Sequence, residues 1–184
     1  RARALAGRRR FTADQREAVR EVLGNAIEEG LGADETARRL RDIIGLRADQ
    51  AQAIARFRER LRDQGVNEAN VARRAARYAD AQRLARAKLV ARTELMAAVN
   101  SGQLALWREA IDQGVIRRGA MRKQWIITND ERLCPRCEST GESSAIPIDA
   151  KFGGEVLAPP LHPRCRCAVG LVKVIAPATG QPVS

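Results

Sequence analysis

All four cysteines and the only histidine of this 184-residue chain lie between positions 134 and 167. They read Cys134-Pro-Arg-Cys137, then 24 residues, then His162-Pro-Arg-Cys165-Arg-Cys167. A CxxC turn sets two thiolates about one coordination sphere apart. An HxxC or CxC turn does the same from a facing segment, which is how a tetrahedral zinc knuckle is assembled. Pro135 and Pro163 directly follow the first ligand of each half and stiffen both turns, so less conformational entropy is lost when a metal binds. Five candidate ligands, Cys134, Cys137, His162, Cys165 and Cys167, compete for four positions. Either the four cysteines bind, or His162 binds with three of them and leaves one of Cys165 and Cys167, by expectation Cys167, outside. Protein groups can close every position, so the metal is expected to be structural rather than catalytic. Structural zinc is worth about 10 to 16 kcal/mol, ample to fold a small loop-rich region. Paired disulfides fit less well: a CxxC disulfide closes only a tiny loop, and no charged-then-apolar stretch opens the chain as a secretory leader does. Free buried thiols and redox chemistry fit less well too. His162 gains its weight as a ligand from its two-residue spacing to Cys165.

The rest of the composition says why a staple is needed. Hydrophobic residues make up 45% of the chain but aromatics only 3%. The apolar content excludes a disordered chain, yet alanine supplies much of it and buries little area, so the core should be thin. No run approaches the roughly 18 apolar residues of a spanning helix; a soluble protein without a membrane partner is expected. The net charge is +11 and is mostly arginine. Guanidinium pairs bidentately with phosphate, although codon bias in an arginine- and alanine-rich genome would give the same composition. Position narrows this to two footprints. Residues 1–10 hold Arg1, Arg3, Arg8, Arg9 and Arg10 with no acid, and the segment from Arg73, Arg74 and Arg77 to Arg92 opposes seven basic residues to the single acid Asp80. An arm as basic as the first is expected to be ordered only when a partner holds it.

The first 114 or so residues read as helix after helix. Thr12-Ala-Asp-Gln15 fits a capping box, and Val19, Val22, Leu23, Ala26 and Ile27 recur at helical spacing until Gly30 and Gly32. A second helix from about Asp34 carries Ala37, Leu40, Ile43 and Ile44 on one face and ends at Gly45; a third, from about Ala48 to Gln64, carries Ile54, Phe57 and Leu61. Short connections favour antiparallel neighbours and hence a small bundle. A fourth stretch, from about Glu68 to Gln113, is long, and Asn100-Ser101-Gly102 predicts a kink or break in it. After Gly119 the texture changes to a short strand near Gln124–Ile127, a turn at Asn129-Asp130, Gly/Pro/Ser-rich loops, and a closing strand at Val169, Leu171 and Lys173-Val174. The expected class is mainly α, α+β overall: a helical bundle with a long helix, then a zinc-stapled β-hairpin and loop annex. The expected segments are a basic arm (1–10), a helical domain (11–118), a zinc-binding domain (119–176) and a tail (177–184).

The order Ala91-Arg92-Thr93-Glu94, Asn100-Ser101-Gly102, Trp107, Trp125 to Asp130, Cys134-x-x-Cys137, Gly141, Phe152 and Pro159-Pro-Leu-His-Pro-Arg-Cys-Arg-Cys167 resembles the Mu F-like minor head proteins of tailed bacteriophages, also called phage head morphogenesis proteins. The resemblance spans about residues 30–172. It implies a non-enzymatic, low-copy structural protein of the virion, made in the host cytoplasm and placed at the portal vertex or in the head interior. Its implied partners are portal protein or major capsid protein and packaged double-stranded DNA, and its implied roles are head assembly and genome packaging or ejection. The chain resembles either a standalone protein or a domain joined to another, such as a portal subunit. Arg47 departs from the expected Ser or Thr cap. Relatives can carry other residues in place of the first CxxC, so zinc rests on the spacing in this chain.

Arg92 and Glu94 on one helix invite comparison with an ADP-ribosyltransferase site. Tyr78 is the only tyrosine, however, and no Gly-rich or Ser/Thr-rich cradle accompanies them, so they are expected to be a buried or interface pair that orients the long helix. The alternative functions are a zinc-stapled nuclease and a DNA-binding protein. A nuclease needs a general-base histidine besides His162. A sequence-specific regulator would show a short helix-turn-helix, and single-strand binding would need more aromatics.

Overall fold

Thr12 opens the first helix through the reciprocal bonds of a capping box: its Oγ1 accepts from Gln15 N at 3.2 Å, and Gln15 Oε1 accepts from Thr12 N at 3.1 Å. In this computed structural model, residues 11–174 are described. The arm with Arg1, Arg3, Arg8, Arg9 and Arg10 lies outside them, as does the expected 177–184 tail. The elements in chain order are α1 (Ala13–Glu28), α2 (Ala33–Ile44), α3 (Ala48–Asp63), α4 (Glu68–Asp112), β1 (Met121–Ile126), α5 (Pro135–Glu142) and β2 (Ala168–Lys173). The fold is mainly helical with one two-stranded antiparallel sheet, as the sequence predicts. The chain divides into two compact units, one up to Leu95 and one from Met96. The change of texture at Gly119 falls between the end of α4 and the start of β1, whereas the second unit begins inside α4.

In the first unit, Val19 of α1, Ala37, Leu40 and Ile44 of α2, and Ala87, Val90 and Ala91 of α4 form one buried cluster, with Phe11, Val22, Leu23 and Ile43 against it. Gly45 follows α2 at φ 61°, a left-handed turn that costs glycine nothing. The free carbonyls of that helix end are filled from α4, where Arg86 Nη1 donates to Ile44 O at 3.1 Å and Gly45 O at 3.2 Å. A second cluster joins Ile54 of α3 to Ala75 and Ala79 of α4. Gln50 Nε2 donates to Gln82 O, and Phe57 packs on Tyr78 with ring centroids 5.1 Å apart and the rings tilted by 50°. Rising numbers on α3 thus meet falling numbers on α4, and the two run antiparallel.

Of the kink or break expected at Asn100-Ser101-Gly102, the break does not occur, and α4 runs as a single helix through Asn100. The low helix propensity of Asn is outweighed by three hydrogen bonds within the second unit. Buried Asn100 donates from Nδ2 to Met96 O at 2.8 Å and Cys167 O at 3.4 Å, and its Oδ1 accepts from Val169 N at 2.8 Å. It therefore fastens the last turns of α4 to the start of β2. In the sheet, Trp125 of β1 faces Val169 of β2. Lys123, in mid-β1, is fully buried. Its backbone exchanges two 2.9 Å bonds with Ile146, its Nζ donates to Leu157 O at 2.6 Å, and that nitrogen lies 5.1 Å from the centre of the Phe152 ring. Burial pulls its ammonium down to about 8, with Arg108 adding to the shift and Asp149 opposing it.

Two outcomes are expected. Asn100→Ala strands the Val169 N–H and the Cys167 carbonyl and should cost about 2 to 4 kcal/mol in urea unfolding, whereas Ser101→Ala should stay within about 0.5 kcal/mol. Equal small effects would remove Asn100 from this role. For Lys123, the folded pKa lies below the unfolded value of about 10.4, so the fold favours the neutral amine. Its contribution to stability should be least favourable below about pH 8 and rise toward about pH 10. The difference in unfolding free energy between wild type and Lys123→Met should accordingly move in favour of wild type between about pH 7 and about pH 9.5; a flat difference would contradict the shift.

Candidate metal centre

Two short turns and a helix start bring the sulfurs and the imidazole together. Cys134 is the N-cap of α5 and Pro135 its first residue, so the CxxC segment is the opening turn of a helix where the sequence predicts loop. Proline suits that position because its missing N–H would have no partner there anyway. The Cys137 N–H donates to Cys134 Sγ at 3.4 Å. That bond is the first cause holding the Cys134 thiol down to about 7, ahead of contributions from the Cys137 side chain and His162. The facing segment turns at Cys165 N→His162 O, 3.1 Å, with Arg164 at φ 69°, the one non-glycine residue in the left-handed region among the described residues. A side chain held there stores strain, which tends to accumulate at functional turns.

The imidazole is set for ligation. His162 Nδ1 lies 2.7 Å from the Pro163 carbonyl, a contact that fixes the proton on Nδ1 and leaves the Nε2 lone pair free. That Nε2 lies 3.1 Å from Cys134 Sγ and 3.2 Å from Cys137 Sγ. Cys137 Sγ is 3.8 Å from Cys165 Sγ. Two groups result, each with its ligand atoms within 4.8 Å of one another: Cys134, Cys137 and His162, and Cys137, Cys165 and Cys167. All five sequence candidates are thus gathered, with Cys137 common to both groups. Cys167, which the four-cysteine option includes and the option with His162 was expected to leave out, stands beside Cys137 and Cys165. All four cysteines are free thiols, and all but Cys134 are buried.

This environment suits soft-metal coordination. Burial raises the Cys137 thiol, with the neighbouring Cys134, Cys165 and Cys167 adding to the rise. Burial, with Cys165, likewise raises Cys167, while the Trp125 indole N–H pulls the other way. That indole Nε1 is buried with no partner of hydrogen-bonding geometry, a donor that a Cys167 thiolate would satisfy. The five residues line a cavity of about 20 Å³, the room of a single ion. Sulfur and imidazole donors select zinc, copper(I) or iron–sulfur chemistry over calcium or magnesium. The cluster can therefore hold a metal ion.

Neighbouring groups hold the two loops in place. Arg166, between Cys165 and Cys167, makes a bidentate ion pair with Asp130. That bond is the main reason Asp130 is held down to about 2. Thr128 Oγ1 donates to Arg166 O at 3.2 Å. Gly141 of α5 packs so closely on Ile127 that a Cβ would meet its Cγ2 methyl. Arg166, Thr128 and Gly141 support the site; all three fall within the segments that carry the family resemblance, which gave none of them this role. The CRC spacing offered the one signal, since an arginine between two ligands must point away from the metal.

Arg92 and Glu94 are not a pair. Two positions apart on a helix, they leave it in different directions; Arg92 is exposed, while Glu94 Oε1 is buried without a hydrogen-bond partner and burial raises its carboxyl. The residue between them is the one that is tightly held, Thr93 Oγ1 donating to Leu89 O at 2.7 Å. Arg73, Arg74 and Arg77 are exposed on the first turns of α4.

A family model described as Phage Mu protein F like protein matches residues 17–170, most of the chain and all five candidate ligands. Nothing among the curated proteins or the solved structures matches it.

Cys137→Ser, which removes the ligand common to both groups, should abolish stoichiometric metal binding and thermal stabilisation by added metal. Ser139→Ala, on the same helix but outside the cluster, should leave both intact. Metal retained by Cys137→Ser, as measured by elemental analysis, would contradict the arrangement.

Proposed function

We infer that this chain, which belongs to the phage Mu protein F-like family, is a structural minor head protein whose second unit is held together by one structural zinc ion. The family match carries the reading, because it takes in both the helical unit and the Cys–His cluster. The site chemistry supports zinc in particular. Four thiols and an imidazole can fill a tetrahedral shell without leaving a position for substrate, and zinc adds no redox chemistry to a protein whose role is shape.

The same chemistry supports a non-enzymatic role. The single histidine turns its free nitrogen onto two sulfurs, so no second imidazole remains as the general base a nuclease of this type needs. The partners we propose are the portal protein or the major capsid protein, together with packaged double-stranded DNA. The basic arm and Arg73, Arg74 and Arg77 are the side chains proposed to meet them. The proposed location is the head interior or the portal vertex, with roles in head assembly and in packaging or ejection. No described helix is long and apolar enough to cross a membrane.

The test is incorporation. In particles of the phage that encodes it, the chain should be found in purified heads at low copy and should co-purify with portal, and a Cys137→Ser chain should be lost from those heads. Its absence from wild-type heads would overturn the reading. Cleavage of duplex DNA by the purified chain with added magnesium, manganese or zinc would overturn the non-enzymatic part.

A further inference from the structure

The described residues hold 24 arginines, and eleven of them are neutralised locally by ion pairs. Twelve basic side chains make ion pairs with carboxylates, among them Arg62 with Glu68 and Arg83 with Asp80. Arg56 and Arg60 of α3 and Arg73, Arg74 and Arg77 of α4 are not among them: all five are exposed, and none has a carboxylate within 4.0 Å. The one side-chain bond in this group is Arg73 Nη2 to Asn70 Oδ1, 2.7 Å. Glu68 and Asp80 are taken by Arg62 and Arg83. Glu59 and Asp63, exposed on α3 and in no ion pair, offset part of the charge of Arg56 and Arg60, and five cations against these two acids leave the face net positive.

The antiparallel packing of α3 on α4 turns these positions into one surface. Phe57 and Tyr78 pack against each other across the hairpin in a tilted contact, and Arg60 lies over the Phe57 ring at 5.8 Å. Arg74 lies one turn before Tyr78 and Arg77 immediately precedes it, while Arg56–Arg60 and Arg73–Arg77 are i,i+4 rows. Two guanidinium rows therefore flank a half-buried aromatic pair that stiffens the hairpin between them. Each row repeats about every 6 Å along its helix, roughly the axial advance of two phosphates on a duplex strand, at about 3.4 Å each.

We propose that this flank of the α3–α4 hairpin is a docking face for the phosphate backbone of double-stranded DNA, bound without regard to sequence. The inference rests on the head-protein reading for the source of the duplex. Arginine forks match phosphate oxygens bidentately, and a face with five cations free of ion pairs gains most from releasing the counterions condensed on DNA. The face also assigns a role to Arg56 and Arg60, which a count of charges along the sequence passes over because they belong to a different helix from Arg73–Arg77.

The experiment uses the full chain loaded with zinc and a fluorescent mixed-sequence duplex of about 25 base pairs, titrated by anisotropy from about 50 to 200 mM salt. Arg60→Gln/Arg74→Gln/Arg77→Gln should weaken binding at least about tenfold at the lowest salt and flatten the log K against log salt slope by about 2 to 3. Arg20→Gln/Arg38→Gln/Arg41→Gln, with the same loss of charge from ion-paired sites, should change affinity less than about threefold. The triple Arg→Lys variant at 60, 74 and 77 should keep the wild-type slope, which separates charge from misfolding. Indistinguishable Gln triples, or a wild-type slope near zero, would overturn the proposal. So would displacement of the chain by polyglutamate as readily as by unlabelled duplex, since an acidic protein surface would then be the partner. Incorporation of the Arg60/Arg74/Arg77→Gln chain into heads reports separately on the head-protein reading: DNA binding lost with incorporation kept is the expected pair, and wild-type chain absent from heads would sink that reading whatever the DNA result.

Discussion

The second unit is built around sulfur. Of the six buried residues in its main cluster, three are Cys137, Cys165 and Cys167, and the others are Trp125, Phe152 and Val169. Thiols that line a core of this size bury little apolar area of their own, so hydrophobic burial alone contributes less here than in an ordinary domain. What they offer instead is a common point of attachment. Cys137 sits between His162 on one side and Cys165 and Cys167 on the other, so one ion joined there ties the start of α5 to the segment that runs into β2. Trp125 and Phe152, packed edge to face at 5.1 Å, then close over the cluster from β1 and the loop. A metal bound there would join the two ligand segments to each other, while Lys123 holds the intervening loop through Ile146 and Leu157.

The last turns of α4 belong to that arrangement through one side chain. Asn100 holds both the Cys167 carbonyl and the Val169 amide, the two backbone groups on either side of the point where the ligand segment becomes a strand. A helix position with poor intrinsic propensity is thus occupied by the residue whose amide carries both a donor and an acceptor. In the first unit, Arg86 does the corresponding work for α2, filling two carbonyls at its end. Both are polar anchors that use α4 as a rail and fix other segments against it by directional bonds, which suits a chain whose alanine-rich faces pack closely but bury little.

Much of this was legible in the sequence, for identifiable reasons. The Thr12–Gln15 box, the stripes of α2 and α3 and the glycines that end them are local signals, and local physics decides them. The five candidate ligands were legible because two-residue spacing admits few other uses. The failures lie where tertiary contacts outweigh local preference. Asn100-Ser101-Gly102 predicted a break because propensity knows nothing of the strand that Asn100 holds. Helix α5 is hard to see in the sequence because its eight residues carry no apolar stripe, and its one signal, a capping cysteine followed by proline, is equally explained by metal chemistry. Arg92 and Glu94 were paired on closeness in sequence, although a helix sends positions two apart to different sides.

The central claim is that a metal ion organises the second unit, and elemental analysis of the purified chain together with thiol titration tests it most directly. The account predicts about one equivalent of zinc per chain, with the thiols protected until a strong chelator is added and all four titrating after it. A metal-free chain with four reactive thiols and an unchanged fold would contradict it.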